Sequence, residues 1–529
     1  MKKISFLFVF FFYFSANAQE VKRIELPLSA TIDNYHPIPI GDKGLLVLAQ
    51  TSKSSFGLLL FDKNLEQQWV TNGTIDEKLD YATSFYDGKN VYLLFSKFES
   101  NVYQVVKVYL GPGIIESFDI YSIDKIKISD FKAHQDVIYI AGSARLQPVI
   151  LRTDLVNQNT KVLPTALKSE AELQSIEIDS TNGNLMASFL LKKGKNYDIL
   201  LKTFDGNGRQ ISQVIFEPDS ELAFINGKLS HTNDSLQFLI GTYGFRNQQT
   251  NTNNISQGLF LNKLSDGEPA TPTYYSFADF TNFFNFMKDK ERERMEKKIE
   301  KKRGKGDELK LNYRLLVHNI IQKKDGFYVV AEAFYPEYRY INNNGYGGFA
   351  GNGIGSAFSP FGSGFNSFYN PYGWGWGRSI LSNSNFGWGS QNALYNNNGK
   401  IFDGFVYTHA IVAEFDKNGK MIWDNSIEIK DLKTNSLKER VKASVVDDKV
   451  TLSYILGGKI LRKTFKDAKR INEFDEISVI PEDTNVKVRR SENEDLEFWY
   501  DKYAIAWGNQ KLSGDPSRRS VFFINKIEF

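Results

Sequence analysis

The sequence predicts an all-β protein assembled from a repeated two-strand unit, on three observations. Aromatic residues make up 14% of the 529 positions, and 40 Gly stand against 14 Pro, the composition of many strands joined by tight turns. Short apolar runs, β-branched or aromatic and bounded by Gly, Asn or Asp, come in pairs along most of the chain. The pairs also keep a period: the runs starting at Leu45, Val91 and Val137 lie 46 residues apart.

The chain opens on what reads as an export signal. Lys2 and Lys3 precede a Phe-rich apolar stretch from Ile4 to Phe14, and Ala16-Asn17-Ala18 forms an A-x-A cleavage site, so residues 1–18 are expected to be removed and the mature chain to start at Gln19. The stretch is too short to span a bilayer, and no later one is long and apolar enough. The expected location is the periplasm, the periphery of the outer membrane or the cell exterior. The absence of Cys removes disulfides, thiolate metal sites and Cys nucleophiles. With 65 basic and 62 acidic residues, the charge is too balanced for a dedicated nucleic-acid binder.

The first runs are Leu45–Ala49, Val91–Phe95, Val137–Ala141, Leu185–Phe189, Leu236–Ile240, Phe327–Ala331, Val450–Tyr454 and Ala504–Trp507. Their partners are Gly57–Phe61, Val105–Leu110, Pro148–Arg152, Ile199–Phe204, Leu259–Leu264, His409–Phe415, Ile460–Phe465 and Val521–Ile527. After Phe61, Phe204 and Phe415 come Asp62-Lys63-Asn64, Asp205-Gly206-Asn207-Gly208 and Asp416-Lys417-Asn418-Gly419. Asn-Gly supplies the positive φ of a tight hairpin, so the chain is expected to turn back into a third, outer strand. Trp69 and Trp423, eight residues after Phe61 and Phe415, are placed to cover the gap to a neighbouring unit. The Asp-x-Asn-Gly cluster lacks the twelve-residue pattern of a calcium loop and reads as a hairpin.

Units of this length with about four strands are the mark of β-propeller blades. The turn from Asp416 to Trp423 resembles the outer hairpin of quinoprotein-type propellers, and the chain as a whole resembles the β-propeller superfamily (quinoprotein-like and WD-like repeats), among secreted bacterial members. The resemblance implies the fold and carries no quinone cofactor with it. Residues 19–529 are therefore expected to form a single domain of eight four-stranded blades, with seven as the alternative. The last unit stops on its second run, and the alternating stretch Val21–Leu28 is expected to supply its missing strand and close the ring.

Two inserts break the period. At 277–310, Phe280, Phe284, Met287, Met295 and Ile299 recur at helical spacing, and 287–306 carry ten basic against five acidic residues. This predicts a helix with an aromatic root and a cationic tip, ending at Gly304 and Gly306. Its tip residues Lys297, Lys298, Lys301, Lys302 and Arg303 suit an acidic partner or anionic head groups, although a solvated helix packed on the rim explains the pattern as well. The second insert, 342–400, holds 14 Gly, 12 Asn and three of the seven Trp. Phe368, Tyr369, Tyr372, Trp374, Trp376 and Trp388 are candidate anchors for a partner, in a loop expected to emerge between the two central strands of one blade.

Recognisable catalytic spacing is missing. His36, His134, His231, His318 and His409 lie in different units and read as isolated surface or loop imidazoles. Asp76-Glu77, Asp447-Asp448 and Glu494-Asp495 read as solvated groups beside turns. No G-x-S-x-G elbow occurs, and no catalytic, metal-binding or cofactor-binding residue is named. The expected function is that of an exported, non-enzymatic interaction or scaffold module at the bacterial cell envelope, binding protein partners near the outer membrane through its inserts. A propeller enzyme acting on a glycan or glycoconjugate is the alternative.

Overall fold

The computed structural model describes residues 22–340 and 400–529, apart from 29–33, 51, 98–99, 180, 195, 231–235, 250–254, 266, 436, 472–474, 482–485 and 515–517. The expected signal peptide, the insert residues 342–399 and His231 lie outside the described residues. The chain folds as a β-propeller of antiparallel blades, numbered here in chain order.

Blade 1 holds β2 (Asn34–Pro39), β3 (Leu45–Gln50), β4 (Ser55–Phe61) and β5 (Gln67–Thr74), from the axis outward. Blade 2 holds β6 (Asp80–Tyr86), β7 (Asn90–Ser96), β8 (Ser100–Tyr109) and the first half of β9 (Ile114–His134). The second half of β9 is the inner strand of blade 3, followed by β10 (Val137–Ala144), β11 (Gln147–Asp154) and β12 (Asn159–Val162). β9 crosses from one blade to the next without a break, and its 21 residues contain no Gly, Pro or Asn to end it. Blade 4 holds β13 (Glu170–Ile178), β14 (Leu185–Lys193), β15 (Asn196–Phe204) and β16 (Gln210–Phe216).

Blade 5 has a split inner strand, β17 (Leu222–Phe224) and β18 (Lys228–Leu229), then β19 (Leu236–Phe245), β20 (Gly258–Ser265) and a split outer strand, β21 (Glu268–Pro269) and β22 (Thr273–Ser276). Blade 6 repeats the plan with β23 (Leu315–Val317), β24 (Ile321–Lys323), β25 (Gly326–Tyr340), β26 (Lys400–Asp416), β27 (Met421–Glu428) and β28 (Lys433–Thr434). Blade 7 holds β29 (Lys442–Val446), β30 (Lys449–Leu456), β31 (Lys459–Lys466), β32 (Lys469–Arg470) and β33 (Asp475–Ser478). The last sheet is β34 (Lys487–Tyr500), β35 (Tyr503–Ser513) and β36 (Arg519–Glu528), completed by β1 (Lys22–Pro27).

Every first run of the sequence lies in the second strand of its blade, and every second run in the third strand, apart from Leu110, which lies in the turn after β8. These strands are mostly apolar because both of their faces are buried, with a few buried charges such as Lys107, Arg152 and Glu332. Leu46 and Leu48 pack with Val91 and Leu93 of blade 2, while Leu45 and Val47, on the opposite face, pack with Ile505 and Ile524 of the last sheet. The period of two along a strand thus sends alternate side chains to alternate neighbours. The same pairing continues round the ring: Leu94 with Ile140, Ala141 with Leu185, Leu201 with Leu239, Ile240 with Val329, Val330 with Leu452, and Ile460 with Ala504. Each pair belongs to one inter-blade cluster of buried residues, so the core is a ring of wedges.

The ring is closed by β1, which pairs with β36 in register from Lys22↔Lys526 to Pro27↔Val521. Arg23 fastens it further: the guanidinium donates to Glu25 Oε1 at 2.9 Å, to the Val479 carbonyl of blade 7 at 3.0 Å and to Gln510 Oε1 at 2.9 Å, and it lies over the Phe523 ring. The Tyr35 hydroxyl of blade 1 donates to the Pro27 carbonyl at 2.9 Å.

The three Asp turns share one device. Oδ1 of Asp62, Asp205 and Asp416 accepts the amides two and four residues on, at 2.8 to 3.0 Å. Gly208 and Gly419 take φ +77° and +83° at the fourth position, but in the first turn Leu65 takes φ 56° there. The carboxylates are used on their own backbone. Trp69 and Trp423 cover blade gaps: Trp69 Nε1 donates to the Leu110 carbonyl of blade 2 at 2.9 Å, and Trp423 sits in the cluster between blades 6 and 7.

The first insert departs from the expected single helix. The α-helix, α1 (Asp289–Arg303), is preceded by two 3-10 turns, Phe277–Asp279 and Phe283–Phe286. Phe277 and Phe283 stack at 4.6 Å, although residues six apart lie on different sides of an α-helix, so the aromatic root has to fold back on itself. Ile299 is the buried helix residue; Gly304 caps the end, and Gly306 follows at φ +75°.

Removal of residues 19–30 takes away β1 and its anchor Arg23. The thermal midpoint is expected to fall by several degrees, measured by calorimetry or circular dichroism. An unchanged midpoint would contradict closure by this strand.

Candidate functional site

Two regions concentrate chemistry among the described residues. One lies along the inner edge of blades 5 to 7 and of the last sheet, and the other at one end of blade 6.

The inner region is a belt of ion pairs. Glu332, on β25 and fully buried, accepts at Oε1 from the amides of Arg440 and Val441 at 2.7 and 2.8 Å, which ties blade 6 to blade 7. The same oxygen lies 2.7 Å from His318 Nε2. Lys438 Nζ and Asp495 Oδ2, at 2.8 Å, join blade 7 to β34, and Lys442 and Glu497 do the same at 2.8 Å. Lys228 of blade 5 reaches Glu439, at the entry to blade 7, at 3.4 Å, and Asn319 of blade 6 at 3.1 Å. A bond from blade 5 to blade 7 passes over the intervening blade, so these side chains reach across the inner edge of the ring.

Electrostatics follow the pairing. Burial opposes charge on Asp495, yet Lys438, Arg440 and Lys442 hold its carboxyl well below the usual range. Burial likewise opposes charge on Glu439, which His318 and Lys228 bring below its ordinary value. Lys442 is desolvated too, but Glu497, Asp495 and Glu439 hold its amine above the usual range. Lys438 stays below its usual value, because desolvation outweighs Asp495. Cations and carboxylates neutralise one another here, which suits a belt that sets the angle between blades.

The end of blade 6 carries both inserts. β23 starts with Leu315 opposite Ala333, while β25 runs on past that point to Tyr340, where the second insert departs, and β26 returns from Lys400. The first insert runs from β22 of blade 5 to the start of β23, so both inserts join blade 6 at the same end.

The root of the first insert is firmly seated. Asp424 on β27 accepts the amides of Thr281 and Asn282 at 2.8 and 2.7 Å, and Ser426 Oγ donates to the Asn282 carbonyl at 2.9 Å. Phe277, Phe280, Phe283 and Phe284 are buried in the cluster between blades 5 and 6. His409, on β26, is fully buried among them: its ring stacks flat on Phe286 at 3.6 Å and meets Phe283 and Tyr313 edge-on. Its Nδ1 lies 3.0 Å from Thr408 Oγ1.

Lys297, Lys298, Lys301, Lys302 and Arg303 are all exposed on α1. Lys302 pairs with Asp307 at 3.1 Å and Arg303 with Asp279 at 2.5 Å, whereas Lys297, Lys298 and Lys301 form no ion pair among the described residues. Phe368, Tyr369, Tyr372, Trp374, Trp376 and Trp388 lie outside the described residues.

The histidines correct the expectation of isolated surface or loop groups. His318 and His409 are buried, and His36, on β2, stacks on Tyr81 at 4.6 Å; His134, at the end of β9, is half-buried. Glu494-Asp495 is likewise no solvated turn, since Asp495 sits in β34 as an anion of the belt. Sequence reading missed Lys228 and Glu439, which look like any charges beside a turn, and Glu332, a single charge within the apolar run of β25. The run Lys438-Glu439-Arg440 before Val441 was the available signal.

No family model matches the sequence, and no curated protein matches it. Among solved structures the chain is similar to the polysaccharide lyase Uly1, at 7% identity and TM-score 0.38 over 85% of this chain and 90% of that one. It is similar to the β-propeller domain of the Trilobed protease from Pyrococcus furiosus, at 8% and 0.34 over 84% and 97%. It is also similar to the Dos1 propeller, at 9% and 0.37 over 85% and 92%. Likenesses this low carry no weight for activity or ligand.

Burial also sets a pH dependence. It pulls His409 down to about 3 and His36 to about 4, from 6.5. The unfolded chain therefore takes up these protons first; the stability from each neutral imidazole is complete above 6.5 and is lost as pH falls toward 4 and 3. Asp130 opposes this, since burial pushes its carboxyl up to about 6 and the stability it adds at low pH is lost as pH rises through that value. Replacing His409 with Phe, which keeps a ring on Phe286, should flatten the acid limb by about 2 kcal/mol between roughly pH 6.5 and 4.5, in denaturant titrations at each pH. Parallel limbs in variant and wild type would contradict this role.

Proposed function

We propose that the chain is an exported, non-enzymatic propeller that serves as an interaction module at the bacterial cell envelope, with one end of blade 6 as its contact face. The observation that carries this reading is the convergence of both inserts on that end. A blade tolerates long insertions between strands because loop closure grows costly only slowly with length, so an insert by itself shows little. Two inserts rooted at one end of one blade, one rich in aromatics and the other in cations by sequence, suit a contact face of two chemistries. The near-absence of charge among 342–399, where Arg378 is the only charged residue, favours burial against a protein partner.

The framework suits this role. The sheet that bears the second insert is fixed to blade 7 through Glu332 and to the first insert through Asp424, so a load taken by either insert passes into the ring.

Deleting 342–399 and joining β25 to β26 through a Gly-Asn turn tests the reading. Circular dichroism and the thermal midpoint should stay native, while the variant moves from the envelope fraction to the soluble fraction of fractionated cells. A variant that folds natively and still fractionates with the envelope would overturn the proposal.

A further inference from the structure

The helix α1 is sorted by charge to a degree that its composition does not require. Met295 and Ile299 face the aromatic root, and Arg292 on the same side reaches Asn285 Oδ1 at 3.3 Å. Asp289, Glu293, Glu296 and Glu300, at spacings of four, three and four, share a second side. Lys290, Arg294, Lys297, Lys298 and Lys301 share a third; all five are exposed, and none makes an ion pair among the described residues. Glu291 borders this side in the first turn, and Lys302 beyond it is tied to Asp307. At 1.5 Å per residue the basic stripe runs for about 16 Å.

Helices that stabilise themselves with charge place opposite signs four residues apart on one face. On α1 Arg292 makes such pairs with Asp289 and Glu296, whereas the five stripe cations, although Glu293 and Glu300 lie four and three residues from Lys297, form no ion pair among the described residues. We infer that this stripe binds the anionic phospholipid head groups of a membrane surface, as a peripheral contact without insertion. This deepens the proposed envelope role by assigning one of its two contact elements a lipid partner.

Three features favour lipid over protein. Four of the five cations are Lys, a hydrated point charge that is depleted at the centres of protein interfaces. No apolar or aromatic residue interrupts the stripe to serve as an anchor in a protein pocket. A straight row of mobile ammonium groups matches a fluid array of phosphates, in which the counter-charges can rearrange to meet it.

The apolar side of the helix settles the mode of binding. Interfacial helices usually enter the bilayer through an apolar face, but in α1 that side is spent on the protein's own aromatic root, where Ile299 is 7% exposed. The root itself is held by Asp424. What remains is electrostatic attraction, and such a contact has to fade as salt shortens the Debye length.

Purified protein lacking residues 1–18 is to be sedimented with vesicles of phosphatidylcholine alone and with vesicles containing about 30% phosphatidylglycerol, in about 0.05 M and about 0.5 M salt. Binding is expected on the anionic vesicles at low salt, with a loss of more than tenfold in the K297E/K298E/K301E variant and a similar loss at high salt. The variant positions are exposed, so its circular dichroism should match wild type. Deletion of 342–399 should leave vesicle binding unchanged, which separates this inference from the partner role of that segment. Equal binding to neutral vesicles, retention by the charge-reversed variant, or helix-dependent self-association without vesicle binding would each overturn it.

Discussion

The backbone ladder between β1 and β36 is the constraint on which the other contacts depend. It pairs strands from opposite ends of the chain, Lys22 with Lys526 through Pro27 with Val521, and turns a row of sheets into a ring. Without it the last sheet would have three strands, and the outer edge of β36 would lie open for unintended pairing. Arg23 extends the closure to blade 7, and Tyr35 extends it to blade 1. The closing strand therefore holds three neighbouring sheets rather than one.

Closure explains why the strands have the composition they do. In a ring each sheet is covered on both faces, so Leu45 and Leu46 are both fully buried although they point to different neighbours. A central strand is then largely apolar, and charges buried in it are partnered, as Glu332 on β25 is by the amides of blade 7 and Lys202 on β15 by the Pro164 carbonyl. Along the inner edge of blades 5 to 7 and of the last sheet, charges meet one another and form the belt through Glu332, Lys438, Asp495, Lys442 and Glu497. At the outer strand of blade 6, Asp424 is used to seat an insert. The root of that insert is itself part of the core between blades 5 and 6, where Phe277, Phe280, Phe283 and Phe284 are buried.

The same physics sets what could be read in advance. Central strands were legible because burial on two faces writes a continuous apolar run, and the Asp turns were legible because each repeats one set of backbone bonds. Inner strands were not, since a charge on β34 and a charge beside a turn look alike until the ring brings Asp495 to Lys438. His409 was misread for a related reason: its cage of Phe283, Phe286 and Tyr313 comes from a segment about a hundred residues away. The helical insert was legible in its charged half, where α1 carries the periodicity; the Phe-rich half matched helical spacing only because closely spaced aromatics match several periods. The cations Lys297, Lys298 and Lys301 were identifiable by sequence, but their separation from Lys302 and Arg303, which are internally paired, required the fold.

Native-state hydrogen exchange on the mature chain tests closure most directly. If the ladder between β1 and β36 locks the ring, its amides exchange only through global opening, with the same free energy and the same denaturant dependence as the central strands β3 and β30. Exchange of the β1 amides at a much lower free energy, while β3 and β30 stay protected, would show a frayed strand on a ring that stands without it, and would contradict the account.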